Sequence, residues 1–241
     1  MHFDVIKVEK MRPTAIKIVY MGDSITEGQY ISPPHRWSDI VTDRIERKYL
    51  KTPVNLIMLN KGISGQTTRQ GLERYPDDVQ IHAPDVMTLQ FGLNDCNCWV
   101  SDAGLPRVSE AAYKANMIEM IDRAKQFGVK RIILSTNHRT LREKILLSGE
   151  NLEQRRRRYN DIVREIARER EVIFVDIAKT FEKLPVADLE DMLLPYPDHL
   201  HLSAEGHKFY ADTIYPVIAD AIEITVNAIN ENEGHHVEVG N

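Results

Sequence analysis

Four short stretches of this 241-residue chain carry side chains with chemistry to offer. Gly22-Asp23-Ser24 follows an apolar, β-branched run at 16–21. The polar loop 60–68 holds Gly62, Ser64 and Gly65. Gly92-Leu93-Asn94-Asp95 follows the run 85–90, and Asp198-His199-Leu200-His201 lies near the C-terminus. A serine hydroxyl attacks a carbonyl when a base within hydrogen-bond reach takes its proton and a third group orients that base. Asp198 and His201 stand three residues apart, which makes them neighbours on one helical turn. Asp198 can then hold the His201 ring in one tautomer and leave the other nitrogen for Ser24. Acyl transfer also develops a negative oxygen that needs N–H donors. The Ser24 backbone, the Gly65 backbone and the Asn94 side-chain amide are the candidates. Glycine suits that task because it lets the backbone approach a substrate closely.

The rest of the sequence predicts the frame that would position these groups. Short apolar runs at 15–21, 54–59, 85–90, 131–136 and 172–176 read as buried strands. Helical spacing appears at about 37–50, 67–80 and 109–127, the last capped by Ser109 and stopped by Gly128. It appears again at 152–170 and from Ala204 onward, where Pro216 is expected to kink the helix. Such alternation predicts a three-layer α/β/α sandwich with a flavodoxin-like, five-stranded parallel sheet. Sheets of this kind bind ligands outside the carboxyl ends of their strands. The four stretches should therefore meet on one edge. The segments 96–108, 138–149 and 177–196 read as irregular. One domain over 1–241 is expected, with a leader or edge strand at 1–13 and a frayed tail at 230–241.

Taken in order, Gly-Asp-Ser-Ile, Asn-x-Gly-x-Ser-Gly, Gly-x-Asn-Asp and Asp-x-x-His resemble the sequence blocks of the SGNH, or GDSL-type, hydrolase family. They run from residue 22 to residue 201, nearly the whole chain. The resemblance implies that Ser24 is the nucleophile, His201 its base and Asp198 the acid partner. It implies an oxyanion hole built from Ser24, Gly65 and Asn94, the same flavodoxin-like sheet, and chemistry without metal or cofactor. Gly65 is preferred to Gly62 because the Ser-Gly-x-Thr stretch matches the family's second block. Ile25 stands where the family name has leucine, one apolar residue for another.

The remaining polar residues have plainer readings. Asp23 is expected to order the serine turn through backbone bonds, with substrate contact as the alternative. Trp99, in the loop leaving the third strand, is a candidate pocket wall. Asp95 reads as an Asx turn or a loop brace. His199 and His207 read as structural. Cys96 and Cys98 are too close for an unstrained disulfide and too few for a closed zinc site, so they read as packed thiols in a reducing, cytoplasmic compartment. In the run Arg155-Arg156-Arg157-Arg158, Asp161 and Glu165 lie at helical pairing distance, which favours a solvated helix face over a phosphate site.

A net charge of −5 gives no argument for nucleic acid or an anionic membrane as partner. The first residues show no apolar signal region, and no run approaches the roughly 20 apolar residues of a membrane span. The expectation is a serine esterase that acts on a small-molecule ester through an acyl-enzyme. The absence of a lid-like apolar insertion favours short acyl groups, such as acetyl on a carbohydrate. The alternatives are a lysophospholipase or thioesterase of the same family, and a non-catalytic binding module on the same fold. The alcohol half is assigned to the loops 95–108 and 138–158, and a homo-oligomer is left open.

Overall fold

The computed structural model describes residues 14–237, with side chains to residue 231. The leader expected at 1–13 and the tail beyond 237 lie outside the described residues. The strands are β1 (Thr14–Gly22), β2 (Val54–Gly62), β3 (Val86–Gln90), β4 (Arg131–Ser135) and β5 (Ile173–Val175). All pairings are parallel, in the order β2-β1-β3-β4-β5. The helices are α1 (Ser24–Glu27), α2 (Trp37–Tyr49), α3 (Thr68–Glu73), α4 (Tyr75–Asp78), α5 (Leu93–Cys96), α6 (Glu110–Gln126), α7 (Leu152–Glu169), α8 (Ile177–Glu182), α9 (Val186–Met192) and α10 (Ala204–Val237). This is the flavodoxin-like sandwich that the alternation predicts.

Period-2 alternation sorts the strand side chains into two cores. Ile16, Ile18, Tyr20, Val86 and Ile133 face one side, where they pack with α2 and α10 residues such as Trp37, Val41, Tyr210 and Ile214. Val19, Met21, Met87, Leu89, Ile132 and Leu134 face the other, against α6 and α7 residues such as Tyr113, Met117, Tyr159 and Val163. Both faces of the central strands are dry, which is why these segments read as continuous apolar runs.

Register decides where the site sits. Gly22, the last residue of β1, pairs level with Gly62 of β2 and with Gln90 of β3. Three strand ends therefore stop together, at the point where the chain leaves β1 for neighbours on opposite sides. β2 runs three residues beyond the predicted 54–59 because this pairing continues to Gly62. Gly62 also lies hard against α1. A Cβ there would sit 2.1 Å from the backbone nitrogen of Glu27.

Several predicted elements differ. The helix expected at 67–80 is split into α3 and α4, with a break at Arg74. Pro76 lacks an N–H and is accommodated in the first turn of a new helix. The segment read as irregular after β5 holds α8 and α9. Asp176 caps α8 by accepting from Lys179 N at 3.1 Å, and buried Ile177, Phe181 and Leu189 anchor the pair. The last helix continues through Pro216 to Val237, past the expected start of the tail.

The arginine run needs a larger correction. Arg157 and Arg158 are exposed, but Arg155 and Arg156 are buried, so half of the run is not a solvated face. Arg155 donates to the carbonyls of Cys96 and Gly104 and pairs with Glu150. Arg156 donates to the Asn137 carbonyl and pairs with Glu153. A guanidinium has five donors in a fixed fork, so one buried arginine can hold several loop carbonyls at once. These two tie the loops leaving β3 and β4 to α7.

Candidate active site

Asp23 is the N-cap of α1, and its Oδ1 accepts from Ile25 N at 3.0 Å. Ser24 is thereby the first residue of a helix, where a backbone N–H has no intrahelical acceptor. The Ser24 hydroxyl lies 3.1 Å from His201 Nε2, across 177 residues of sequence. On the far side of the ring, Nδ1 donates to Asp198 Oδ2 at 2.8 Å. An ionised carboxylate only accepts, so the proton sits on Nδ1 and the Nε2 lone pair faces the serine.

The loop carrying Asp198 and His201 is held by its own backbone. Asp198 Oδ1 accepts from Leu200 N at 2.9 Å and His201 N at 2.6 Å. Burial alone would raise the Asp198 carboxyl. The N–H and ring donors of His201, together with Leu200 N, outweigh that and hold it below the usual carboxylate range. Three successive carbonyls of this loop are then taken by the segment after β4. Arg142 Nε donates to Asp198 O at 2.7 Å, Leu141 N to His199 O at 2.9 Å, and His138 Nε2 to Leu200 O at 2.8 Å. Leu194 N donates to His201 O at 2.8 Å. Tyr30, exposed, sets its ring edge-on to His201 at 5.3 Å.

The second stretch follows β2 directly. Gly65 has φ of 76°, which favours glycine, and it is exposed with open space where a Cβ would project. Ser64 N donates to Glu27 Oε2 at 2.6 Å, and Ser64 Oγ donates to the same oxygen. Arg107 Nη1 donates to Gly65 O at 2.9 Å, and its guanidinium lies 4.2 Å over the Trp99 ring. Asn94 is half-buried in α5, and its amide makes no hydrogen bond among the described residues. Beside it, Asp95 Oδ1 accepts from Thr68 N at 2.9 Å and Thr68 Oγ1 at 2.5 Å, which ties α5 to the start of α3.

Burial pushes the Asp23 carboxyl up to about 7 and the Asp95 carboxyl up to about 6. Each keeps a second buried oxygen without a partner among the described residues. Of the two sequence candidates for substrate contact, Asp23 is corrected. It is fully buried and offers no surface to a ligand. Trp99 is 58% exposed, on the rim beside the Gly65 loop. His207 is buried, its Nδ1 accepts from Trp37 N at 3.2 Å, and burial pushes the ring down to about 4. His199 meets the Tyr196 ring edge-on at 5.8 Å. Cys96 and Cys98 are free thiols packed in the second core.

Sequence reasoning missed four braces: Glu27, Arg107, His138 and Arg142. No local spacing could have found the last two, because His138 and Arg142 meet their partners 62 and 56 residues away.

Comparison with known proteins bears on the family and the fold. A family model described as GDSL-like lipase/acylhydrolase matches residues 20–209. A lipoprotein of Bacillus subtilis is 33% identical over 49% of this chain and 47% of its own length, so the chain spans about half of that relative. An acetylxylan esterase of Geobacillus stearothermophilus is 28% identical over 81% of this chain and 90% of that one. The crystal structure of a lipase/acylhydrolase from Enterococcus faecalis superposes with a TM-score of 0.67 at 25% identity, covering 85% of this chain and 96% of that one.

Proposed function

We propose that this chain, which belongs to the GDSL-like lipase/acylhydrolase family, is a carboxylic ester hydrolase that works through an acyl-enzyme on Ser24 with short acyl groups as its substrates. One observation carries the mechanism: the unbroken relay of 3.1 Å and 2.8 Å from Ser24 through His201 to Asp198. Ser24 Oγ attacks the ester carbonyl as His201 Nε2 takes its proton. The developing oxyanion is met by the Ser24 and Gly65 N–H groups and the Asn94 amide, which is free for that task. The tetrahedral intermediate collapses, and the alcohol leaves with the proton from His201. Water then attacks the acyl-enzyme as His201 Nε2 takes its proton, and collapse of the second tetrahedral intermediate returns that proton to Ser24 Oγ as the acid departs.

The acyl preference draws on the acetylxylan esterase relative, and a carbohydrate alcohol half on the same likeness. The two buried free thiols support a reducing compartment as the setting.

A second reading is favoured by a specific surface. The loops leaving β3 and β4 turn Trp99, Val100, Ile145 and Leu147 outward around a cavity of about 490 Å³. An ester with a longer apolar group could use it. Hydrolysis of p-nitrophenyl acetate and octanoate separates the readings. The proposal expects a higher kcat/KM for acetate, and loss of both activities in Ser24→Ala. Faster octanoate turnover would favour the second reading. Equal activity in wild type and Ser24→Ala would exclude the serine mechanism.

A further inference from the structure

We propose that Arg142 is a positioning residue of the triad, holding the Asp198 carboxylate in place and biasing His201 toward its neutral, base-competent form. The inference deepens the esterase reading and rests on it. Asp198 Oδ2 accepts twice, from His201 Nδ1 at 2.8 Å and from Arg142 Nη2 at 3.1 Å. The same guanidinium reaches back with Nε to the Asp198 carbonyl at 2.7 Å. One fork therefore grips both the backbone and the side chain of the acid residue. Such a grip fixes the carboxylate plane, which in turn fixes the ring that must face Ser24.

The charge matters as well as the grip. An imidazolium at His201 and the Arg142 guanidinium would be two cations on one carboxylate oxygen. Their mutual repulsion works against adding a proton to the ring. Arg142 also tempers the attraction that Asp198 offers to the charged ring. The other groups around His201 do not supply this bias. Ser24 and Tyr30 approach from α1 and the turn after it, and neither brings a cation to the ring. His138, beneath the loop, is pushed down to about 3 by burial, and His207 of α10 to about 4, with Arg36 beside it. Both rings are uncharged across the assay range. His199 sits beyond Asp198, in a cleft of about 540 Å³ that also holds Arg139, Glu143 and Glu190. Arg142 is the cation bonded directly to the acid of the relay.

The test is a pH titration of assigned His201 ring resonances by NMR in wild type, Arg142→Gln and Arg142→Lys, with kcat and KM beside it. Arg142→Gln should raise the His201 midpoint by roughly half to one pH unit. It should also lower kcat roughly tenfold while KM moves less than about twofold. Arg142→Lys keeps the charge but replaces the planar fork, whose Nε and Nη2 hold the two oxygens, with a single nitrogen on a flexible stem. Its midpoint should stay near wild type while kcat still falls. A midpoint unmoved in Arg142→Gln overturns the inference, whether or not the protein hydrolyses esters. A raised midpoint in a protein that hydrolyses none leaves the inference standing and sinks the esterase reading instead. Should Arg142→Gln fail to fold, an Arg142→Lys kcat equal to wild type overturns the positioning role.

Discussion

Asp23 shows how much one residue beneath the proposed nucleophile can do. Its Oδ1 caps the serine helix, while burial pushes its carboxyl up to about 7. In the unfolded chain the same group titrates in the ordinary carboxylate range near 4. The folded protein therefore holds a proton that the unfolded chain releases first. The stability this contributes is complete below about pH 4 and is lost as pH rises through about 7. Asp23→Asn keeps an oxygen for the cap and removes the titration. Any misfit of the new amide is the same at every pH. The stability of Asp23→Asn relative to wild type should therefore rise between pH 5 and pH 8, by about 1–3 kcal/mol. Urea unfolding at the two pH values reads the difference, and a constant gap would contradict a protonated Asp23. His138 and His207 titrate with the opposite sign, losing stability as pH falls below the histidine range, but they are common to both proteins.

At the scale of elements, the site depends on how closely β2 lies against α1. Gly62 ends β2 level with Gly22, and a Cβ on it would meet the Glu27 nitrogen at 2.1 Å and the Thr26 carbonyl carbon at 2.6 Å. Backbone cannot yield there as a flexible side chain would. Gly62→Ala should push α1 away from the sheet and carry Ser24 with it. The expected cost is about 1–3 kcal/mol of stability, by the usual scale of overpacking. Ester turnover should fall by roughly 10² or more, since misplacement by an ångström is enough for that. Thermal melting and kcat/KM on a p-nitrophenyl ester check both, and full activity in a stable Gly62→Ala would show that the two elements can part. The sequence showed a glycine here but not its purpose. Apolar runs made the five strands legible, because both faces of a central strand are dry. α8 and α9 were not legible, since helices of six and seven residues give too little periodicity to read. Arg155 and Arg156 were misread because their partners are loop carbonyls, which no charge pattern reveals.

At the scale of the whole molecule, four blocks spread from residue 22 to residue 201 are gathered at one sheet edge by strand register and a stapled loop. The residues proposed for the relay were legible because their types are chemically constrained. A nucleophile, a base and an acid must be Ser, His and Asp or close equivalents. Their braces were not, because a carbonyl can be held by almost any donor that the fold brings near. The reactivity proposed for Ser24 is thus a property of the entire fold, and covalent labelling reads it directly. A fluorophosphonate probe should add once to the folded protein, on the peptide that contains Ser24, with intact-mass and peptide mass spectrometry as the readout. Labelling should vanish in Ser24→Ala, slow by orders of magnitude in His201→Ala, and be absent in urea. Folded wild-type protein that takes no label at Ser24, or takes it equally fast without His201, would contradict the account.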